Sequence, residues 1–412
     1  MRVSILAVGT ELLFGQTVNT NAAFLSKNLQ LMGFNVMHHY VVGDNPQRLK
    51  ETLAEAFDKA DIVITTGGLG PTQDDLTKEI VSEYMGEKLV CDEKVIDDLK
   101  AFFEKFGRKM SQNNIKQAYM PENGTTFYND AGTAPACAIE KDGKCAICLP
   151  GPPREMTWLW NNGVKSYLEK FLDKKMFYKV IRTIGIGESD LETELLPVID
   201  GQTDPTVATY AKEGECAIRV ASQRDTLEEA ENAVNQMIQR IDALVGQYIY
   251  STDDEELKEV VVRILKEKGL TLSSAESCTA GKFAAAITDV PGASAVYGTG
   301  FVTYSIDAKV NQLGVDRNLI ERDGVVSSTV AEAMAVQARN KSGSDIAVAI
   351  TGYAGPDADD GYKAGDAYIG YATSEKSGYI EVHTGAARRD WNREGFTLRM
   401  LRTVYLLIEG RL

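Results

Sequence analysis

The chain opens by alternating apolar runs with helical periodicity, and then breaks into glycine. Residues 3–8 are an apolar run ending at Gly9. Ala22, Leu25, Leu29 and Met32 share one face of a helix that Gly33 stops. Residues 35–42 read as a second strand. Leu49, Leu53 and Phe57 recur at spacing four, and residues 62–66 lead straight into Gly67-Gly68-Leu69-Gly70-Pro71. This strand-helix-strand-helix-strand order needs crossover connections. It predicts an α/β fold with a parallel sheet covered on both faces, and ligands beyond the C-terminal ends of the strands.

At 412 residues the chain exceeds one ordinary core, so two to three domains are expected. Charged runs near 173–175 and 251–254 mark the joints, giving segments 1–172, 173–250 and 251–412. The middle segment reads as a small α+β unit: a strand at 179–184, a helix at 189–196, strands at 206–210 and 215–222, and a long helix at 227–245. The last segment opens with a helix whose apolar stripe is Leu257, Val261, Ile264 and Leu265. Strands follow at 271–274, 296–304, 346–350, 366–373 and 379–384, and a helix closes the chain after Arg389.

A formal charge of −15 argues against a large basic surface for nucleic acid. It leaves room for small anionic substrates, because backbone N–H groups and a few Arg or Lys can hold phosphate within an acidic protein. The first residues lack the apolar stretch and cleavage site of a signal peptide, and no run is long enough to span a bilayer. Six scattered cysteines fit reduced thiols in the cytoplasm. Cys145 and Cys148 form a C-x-x-C without a second pair or a His cluster, so they read as residues of a buried strand at 144–149.

Chemistry concentrates at two places. In the last segment, Ala275-Glu276-Ser277-Cys278-Thr279-Ala280-Gly281 falls where a strand ends and an Ala-rich helix begins. A serine there is a candidate nucleophile, and unpaired N–H groups at the helix start are the donors an oxyanion needs. Glu276 can orient a partner or simply be solvated. A base is required, and Lys282 and Lys309 are the nearby lysines; by spacing alone each reads as a surface charge. Position 280 is alanine, which excludes an S-x-x-K arrangement. Thr351-Gly352-Tyr353-Ala354-Gly355-Pro356 ends another strand, and Arg389 and Arg393 share a face at i and i+4, placed to clamp phosphate or to face water.

In the first segment, Gly9-Thr10-Glu11, Asn19-Thr20-Asn21 and Gly67-Gly68-Leu69-Gly70-Pro71-Thr72 fall near successive strand ends on one rim. Glycines there let backbone N–H groups reach phosphate oxygens. Asp74 and Asp75 can hold a hard divalent cation that bridges a diphosphate. Gly132-Thr133 and the turn Pro150-Gly151-Pro152-Pro153, with Glu155 in the next helical turn, complete the set.

These motifs carry a resemblance. The stretch from Ala275 to Gly281, the run Gly300-Phe301-Val302-Thr303-Tyr304-Ser305 with Lys309, the turn at 351–356, and Gly385 with Arg389 and Arg393 resemble the nicotinamide-nucleotide amidase domain of the CinA (competence/damage-inducible) family. The resemblance implies hydrolysis of nicotinamide mononucleotide to nicotinate mononucleotide and ammonia, with no metal. It makes Ser277 the nucleophile and Tyr304 and Lys309 the activating and proton-relay pair. Glu276, Cys278, Thr279, Gly281, Thr351, Gly352 and Gly355 line the site, and Arg389 and Arg393 meet the phosphate. Two departures stand out: Ala280 replaces a glycine, and an acidic run, 357–360, replaces a glycine-rich loop.

The first segment resembles the molybdopterin-binding-like domain of the same family, a three-layer α/β fold associated there with hydrolysis of ADP-ribose to AMP and ribose 5-phosphate. This implies Mg or Co at Asp74 and Asp75. It implies nucleotide contacts from Gly9, Thr10, Glu11, Asn19, Asn21, Gly67, Gly68, Gly70, Thr72, Gly132, Thr133, Gly151 and Glu155. The middle segment resembles the family's KH-like linker domain, but its 185–188 turn lacks the basic GXXG needed for RNA. The expected protein is therefore a bifunctional cytoplasmic hydrolase of pyridine-nucleotide salvage, a homodimer without nucleic-acid or membrane partners. The alternatives are a catalytically decayed nucleotide-binding or competence-associated scaffold, and an amidase with a pterin- or nucleotide-sensing first domain.

Overall fold

A computed structural model describes residues 1–212, 214–358, 361–385 and 388–412. The chain divides into two compact units, Met1–Tyr178 with Ser222–Asn232, and Lys179–Ala221 with Ala233–Leu412. Among the described residues no helix is long and apolar enough to cross a membrane.

Eight strands lie in the first unit: β1 (Arg2–Val8), β2 (Asn35–Val42), β3 (Ile62–Thr66), β4 (Leu89–Cys91), β5 (Tyr119–Pro121), β6 (Thr125–Phe127), β7 (Ala136–Lys141) and β8 (Lys144–Leu149). Six of them form one sheet in the order β2-β1-β3-β8-β7-β6, and β4 pairs with β5. Helices Thr20–Met32 and Pro46–Lys59 make the crossovers, N-capped by Asn19 and Asn45. Alternate residues of β3 face opposite layers: Val63 packs with Leu49, Leu53 and Phe57, while Ile62 and Ile64 pack with Leu25, Leu29 and Trp160. Cys145 and Cys148 are both buried in β8.

The expected parallel sheet holds for β2, β1, β3 and β8 and then stops. β7 and β6 run antiparallel, so the sheet is mixed. The cause is local. Asp142 and Gly143, with φ of 50° and 76°, make a two-residue hairpin turn that folds β8 back along β7.

The strands that follow are β9 (Lys175–Ile184), β10 (Thr206–Lys212), β11 (Glu215–Arg224) and β12 (Ile249–Ser251), in sheet order β10-β11-β9-β12. The last sheet holds β13 (Leu272–Glu276), β14 (Tyr297–Val302), β15 (Ile346–Gly352), β16 (Asp366–Ala372) and β17 (Ser377–His383), in the order β14-β13-β15-β16-β17. Its first three strands are parallel and the last two antiparallel. β13 is flanked by β14 and β15, so the residue after its C-terminal end sits on the sheet's rim between two neighbouring strands. That residue is Ser277.

Candidate functional site

Ser277 is 8% exposed and its N–H donates to the Ile350 carbonyl of β15 at 3.1 Å, which pins the serine to the sheet rim. Lys309 has no exposed surface. Its Nζ donates to Ser277 Oγ at 2.9 Å, to the Thr303 carbonyl at 2.8 Å and to the Tyr304 carbonyl at 3.4 Å. Lys309 reaches inward because Ser305 caps the turn before it, accepting from Ala308 N–H at 3.1 Å. Burial pulls the Lys309 ammonium down to about 8. Burial pushes the neighbouring Cys278 thiol up to about 12, so the serine, not the cysteine, has an activating partner. Lys282 instead pairs with Glu394.

Glu276 is buried and is neither solvated nor bound to a catalytic partner. Its carboxylate accepts the N–H groups of Gly281 at 2.9 Å, Phe283 at 3.1 Å and Ala284 at 2.9 Å. These are the orphan donors at the start of the helix Lys282–Thr288. The expectation that this helix start leaves free donors beside Ser277 is thereby corrected, because the carboxylate saturates them. The N–H of Thr279 makes no backbone hydrogen bond among the described residues.

Arg393 lies against this loop. Its Nε donates to the Cys278 carbonyl at 3.2 Å and its Nη2 to the Thr279 carbonyl at 2.6 Å. Arg389 donates to the Gly355 carbonyl at 2.7 Å and to the Tyr304 hydroxyl at 3.2 Å. Tyr304 thus meets Lys309 through its backbone, while its exposed phenol faces Arg389. Thr351 is buried and donates to the Val325 carbonyl at 2.8 Å. Gly352 is close-packed: a Cβ there would land on Ala367. Asn392, unremarked in the sequence, is fully buried and donates to the Ala354 carbonyl at 2.9 Å, tying the 351–356 turn to the helix Arg389–Ile408. In the acidic run Asp357 is exposed; Asp359 and Asp360 lie outside the described residues.

The first unit holds a cleft of about 560 Å³ at the C-terminal ends of β1, β3 and β8. It gathers Gly9, Glu11, Gly67, Gly68, Gly70, Asp74, Asp75, Thr133, Gly151 and Glu155. Gly67 has φ of 104°, and a Cβ there would strike the Val8 carbonyl oxygen. Glu155 packs over Gly132 and accepts from Asn129 Nδ2 at 2.6 Å, which orders the 129–134 loop. A smaller cavity of about 90 Å³ adjoins the cleft, lined by Asn19 and Asn21. Asn21 Nδ2 donates to Thr66 Oγ1 at 2.8 Å and to the Gly151 carbonyl at 2.7 Å, leaving Oδ1 buried without a donor. Thr10 does not line the cleft but holds Asp44, which does, at 2.7 Å. Asp44 and Gln117 went unnoticed in the sequence, since neither sits in a glycine-rich motif.

Among the described residues no three His, Cys, Asp or Glu side chains converge tightly enough to cage a metal. Asp75 is turned onto its own loop, accepting from the Thr72 N–H at 3.0 Å and from the Thr72 hydroxyl. The donor chemistry nevertheless fits a hard divalent cation. Glu11, Asp44, Asp74, Asp75 and Glu155 line the cleft, and among the described residues no Lys or Arg does. A diphosphate entering such a cleft needs a counter-charge, and Mg²⁺ characteristically takes one or two carboxylates plus phosphate oxygens.

Family profiles match three successive stretches: a probable molybdopterin binding domain over 4–170, a damage-inducible protein CinA KH domain over 178–251, and a CinA C-terminal domain over 254–408. A competence-damage inducible protein of Acetivibrio thermocellus is 46% identical over 87% of this chain and 86% of its own length. A CinA-like protein of Dictyoglomus thermophilum is 44% identical over 94% of this chain and 95% of its own. A further competence-damage inducible protein, from Caldanaerobacter subterraneus subsp. tengcongensis, is 40% identical over 100% of this chain and 99% of its own. With three matching domains in order and relatives aligned along its length, the chain belongs to the CinA family.

Proposed function

We propose that the protein deamidates nicotinamide mononucleotide at Ser277. The observation that carries this is the 2.9 Å contact between Ser277 Oγ and the buried Lys309 Nζ. Neutral Lys309 takes the hydroxyl proton as Ser277 Oγ bonds to the carboxamide carbon, and the carbonyl π pair moves onto oxygen. Collapse of that intermediate breaks the C–N bond. Lys309 returns the proton to the leaving nitrogen, and ammonia departs. Water then attacks the acyl ester, losing a proton to Lys309, which restores it to Ser277 as nicotinate mononucleotide leaves. Arg393 fixes the plane of the Cys278–Thr279 peptide, and with it the direction of the Thr279 N–H. We assign that N–H to the developing oxyanion. Arg389, at the exposed edge, meets the substrate phosphate.

The test is ammonia release by the full chain from nicotinamide mononucleotide in the presence of chelator, with nicotinamide riboside and nicotinamide as comparisons. Turnover of the mononucleotide that vanishes in Ser277→Ala supports the reading. Unchanged turnover in that variant removes Ser277 from the mechanism. Calorimetric binding without ammonia would favour the scaffold reading instead.

A second reading concerns the first unit: hydrolysis of ADP-ribose to AMP and ribose 5-phosphate. The carboxylate-lined, glycine-floored cleft supports it. A divalent cation beside Asp74 and Asp75 would neutralise the diphosphate and polarise its phosphorus. The chain's own contributions are the close backbone approach at Gly67 and Gly68, the loop ordered by Glu155, and the unpaired Asn21 Oδ1, which accepts from a ligand hydroxyl or amine. AMP formation in the Ser277→Ala variant separates this activity from the amidase. Its absence with either cation favours a sensing role for the cleft.

A further inference from the structure

The C-terminal helix Arg389–Ile408 carries two further arginines that neither proposed reaction uses. Arg399 and Arg402, three residues apart, project to one side of the helix and line a cavity of about 230 Å³. The opposite wall is Ile369 of β16 and the 380–383 stretch of β17. Both guanidinium groups are half-buried. Arg399 makes one hydrogen bond, at 3.2 Å, to a carbonyl of its own helix, and Arg402 makes no hydrogen bond or ion pair among the described residues.

This pairing runs against the charge of the molecule. The chain carries fifteen more acidic than basic side chains, 59 against 44, yet neither arginine has a carboxylate partner among the described residues. Glu381 lines the same cavity, but it accepts from the Tyr368 hydroxyl at 3.3 Å and lies 3.5 Å from His383 Nε2. Burial lowers the pKa of both arginines, and for Arg399 the charge of Arg402 lowers it further. Two half-buried cations set side by side destabilise one another unless an anion joins them. The fold also makes room for the charge: Gly185 lies where a Cβ would strike the Arg402 guanidinium. Thr403, buried on the same wall, gives its hydroxyl proton to the Arg399 carbonyl at 2.8 Å, so the two guanidinium groups carry the cavity's free donors.

We propose that Arg399 and Arg402 form a binding site for a small phosphate-bearing anion, separate from the Ser277 site. Guanidinium forks match phosphate oxygens in pairs, and a phosphate has more oxygens and more charge to share between two arginines than a carboxylate has. The cavity is below the roughly 300–1,000 Å³ of sites that enclose whole drug-sized ligands. It therefore suits inorganic phosphate or a short phosphate monoester, not a complete dinucleotide. The proposal is independent of the reactions assigned above.

The test titrates inorganic phosphate into the full chain by calorimetry, against chloride at matched ionic strength. The R399Q/R402Q variant is expected to lose one equivalent of bound phosphate, or to bind it at least tenfold more weakly, while R402K retains part of the binding. A titration identical to that of the unaltered protein overturns the site. A second measurement needs no variant: phosphate should slow phenylglyoxal labelling of Arg402 several-fold, read by peptide mass mapping. Labelling at the same rate with phosphate and with chloride overturns the proposal whatever the variants do.

Discussion

Lys309 Nζ stands 2.9 Å from Ser277 Oγ with no solvent-exposed surface of its own. Three oxygen acceptors satisfy its donors, but burial still pulls the group down to about 8. A base must be neutral, so at pH 7 about a tenth of the molecules are poised to react. Amidase kcat/KM should therefore rise about tenfold per pH unit below 8 and level off above it. Lys309→Met should lower it by roughly 10²–10⁴-fold. The sign for stability is the same. The unfolded lysine titrates near 10.5, so between about 8 and 10.5 the unfolded chain binds more protons and the folded state gains as pH rises. A kcat/KM that stays flat as pH rises from about 6 to about 8 would show that Lys309 is not the base.

Arg393 offers a test of positioning against substrate binding. Both of its contacts are to carbonyls of the nucleophile loop. If it orients the Thr279 N–H for the oxyanion, Arg393→Ala should reduce kcat by about 10²-fold or more with little change in KM. If it holds substrate phosphate, KM should rise instead while kcat stays. Arg389→Ala serves as the contrast, with the effect expected mainly in KM.

The strand end at Ser277 was legible because the small residues Thr279-Ala280-Gly281 and an Ala-rich helix follow the short β13 at once, and the crossovers of the first unit were legible from clean helical spacing. The partner of Ser277 was not. Lys309 is 32 residues away, and by spacing it reads as a surface charge; only the resemblance singled it out. Glu276 was equally opaque, because its burial depends on three N–H groups from residues that follow it. The Asp142-Gly143 hairpin was present in the sequence as a strong local turn signal. It was overlooked because the alternation before it pointed to a wholly parallel sheet.

Ala280 sits at φ of 50°, a left-handed conformation that disfavours an L side chain, and its surface is exposed. The left-handed cost of about 1–2 kcal/mol exceeds the added chain entropy of glycine, about 0.5–1 kcal/mol. Ala280→Gly should therefore stabilise the protein by roughly 0.5–1 kcal/mol. The shift should appear in the urea midpoint of the transition that also abolishes amidase activity. A lowered midpoint would mean the methyl group contributes more packing than its exposure allows.

The cleft of the first unit makes the cation question decidable. Five carboxylates line it, and among the described residues no cationic side chain does. A diphosphate should therefore bind only when a divalent ion accompanies it. ADP-ribose binding, measured by calorimetry, is expected to weaken at least tenfold in chelator and to recover with Mg²⁺ or Co²⁺. Asp74→Asn should raise the cation concentration needed, because hydrogen bonding from Thr72 keeps this carboxylate below its usual range and hence charged at neutral pH. Ammonia release at Ser277 should be untouched by both treatments, which guards against a general loss of folding. Binding that is as tight in chelator as in Mg²⁺ would mean that backbone N–H groups, not a metal, carry the phosphate charge there.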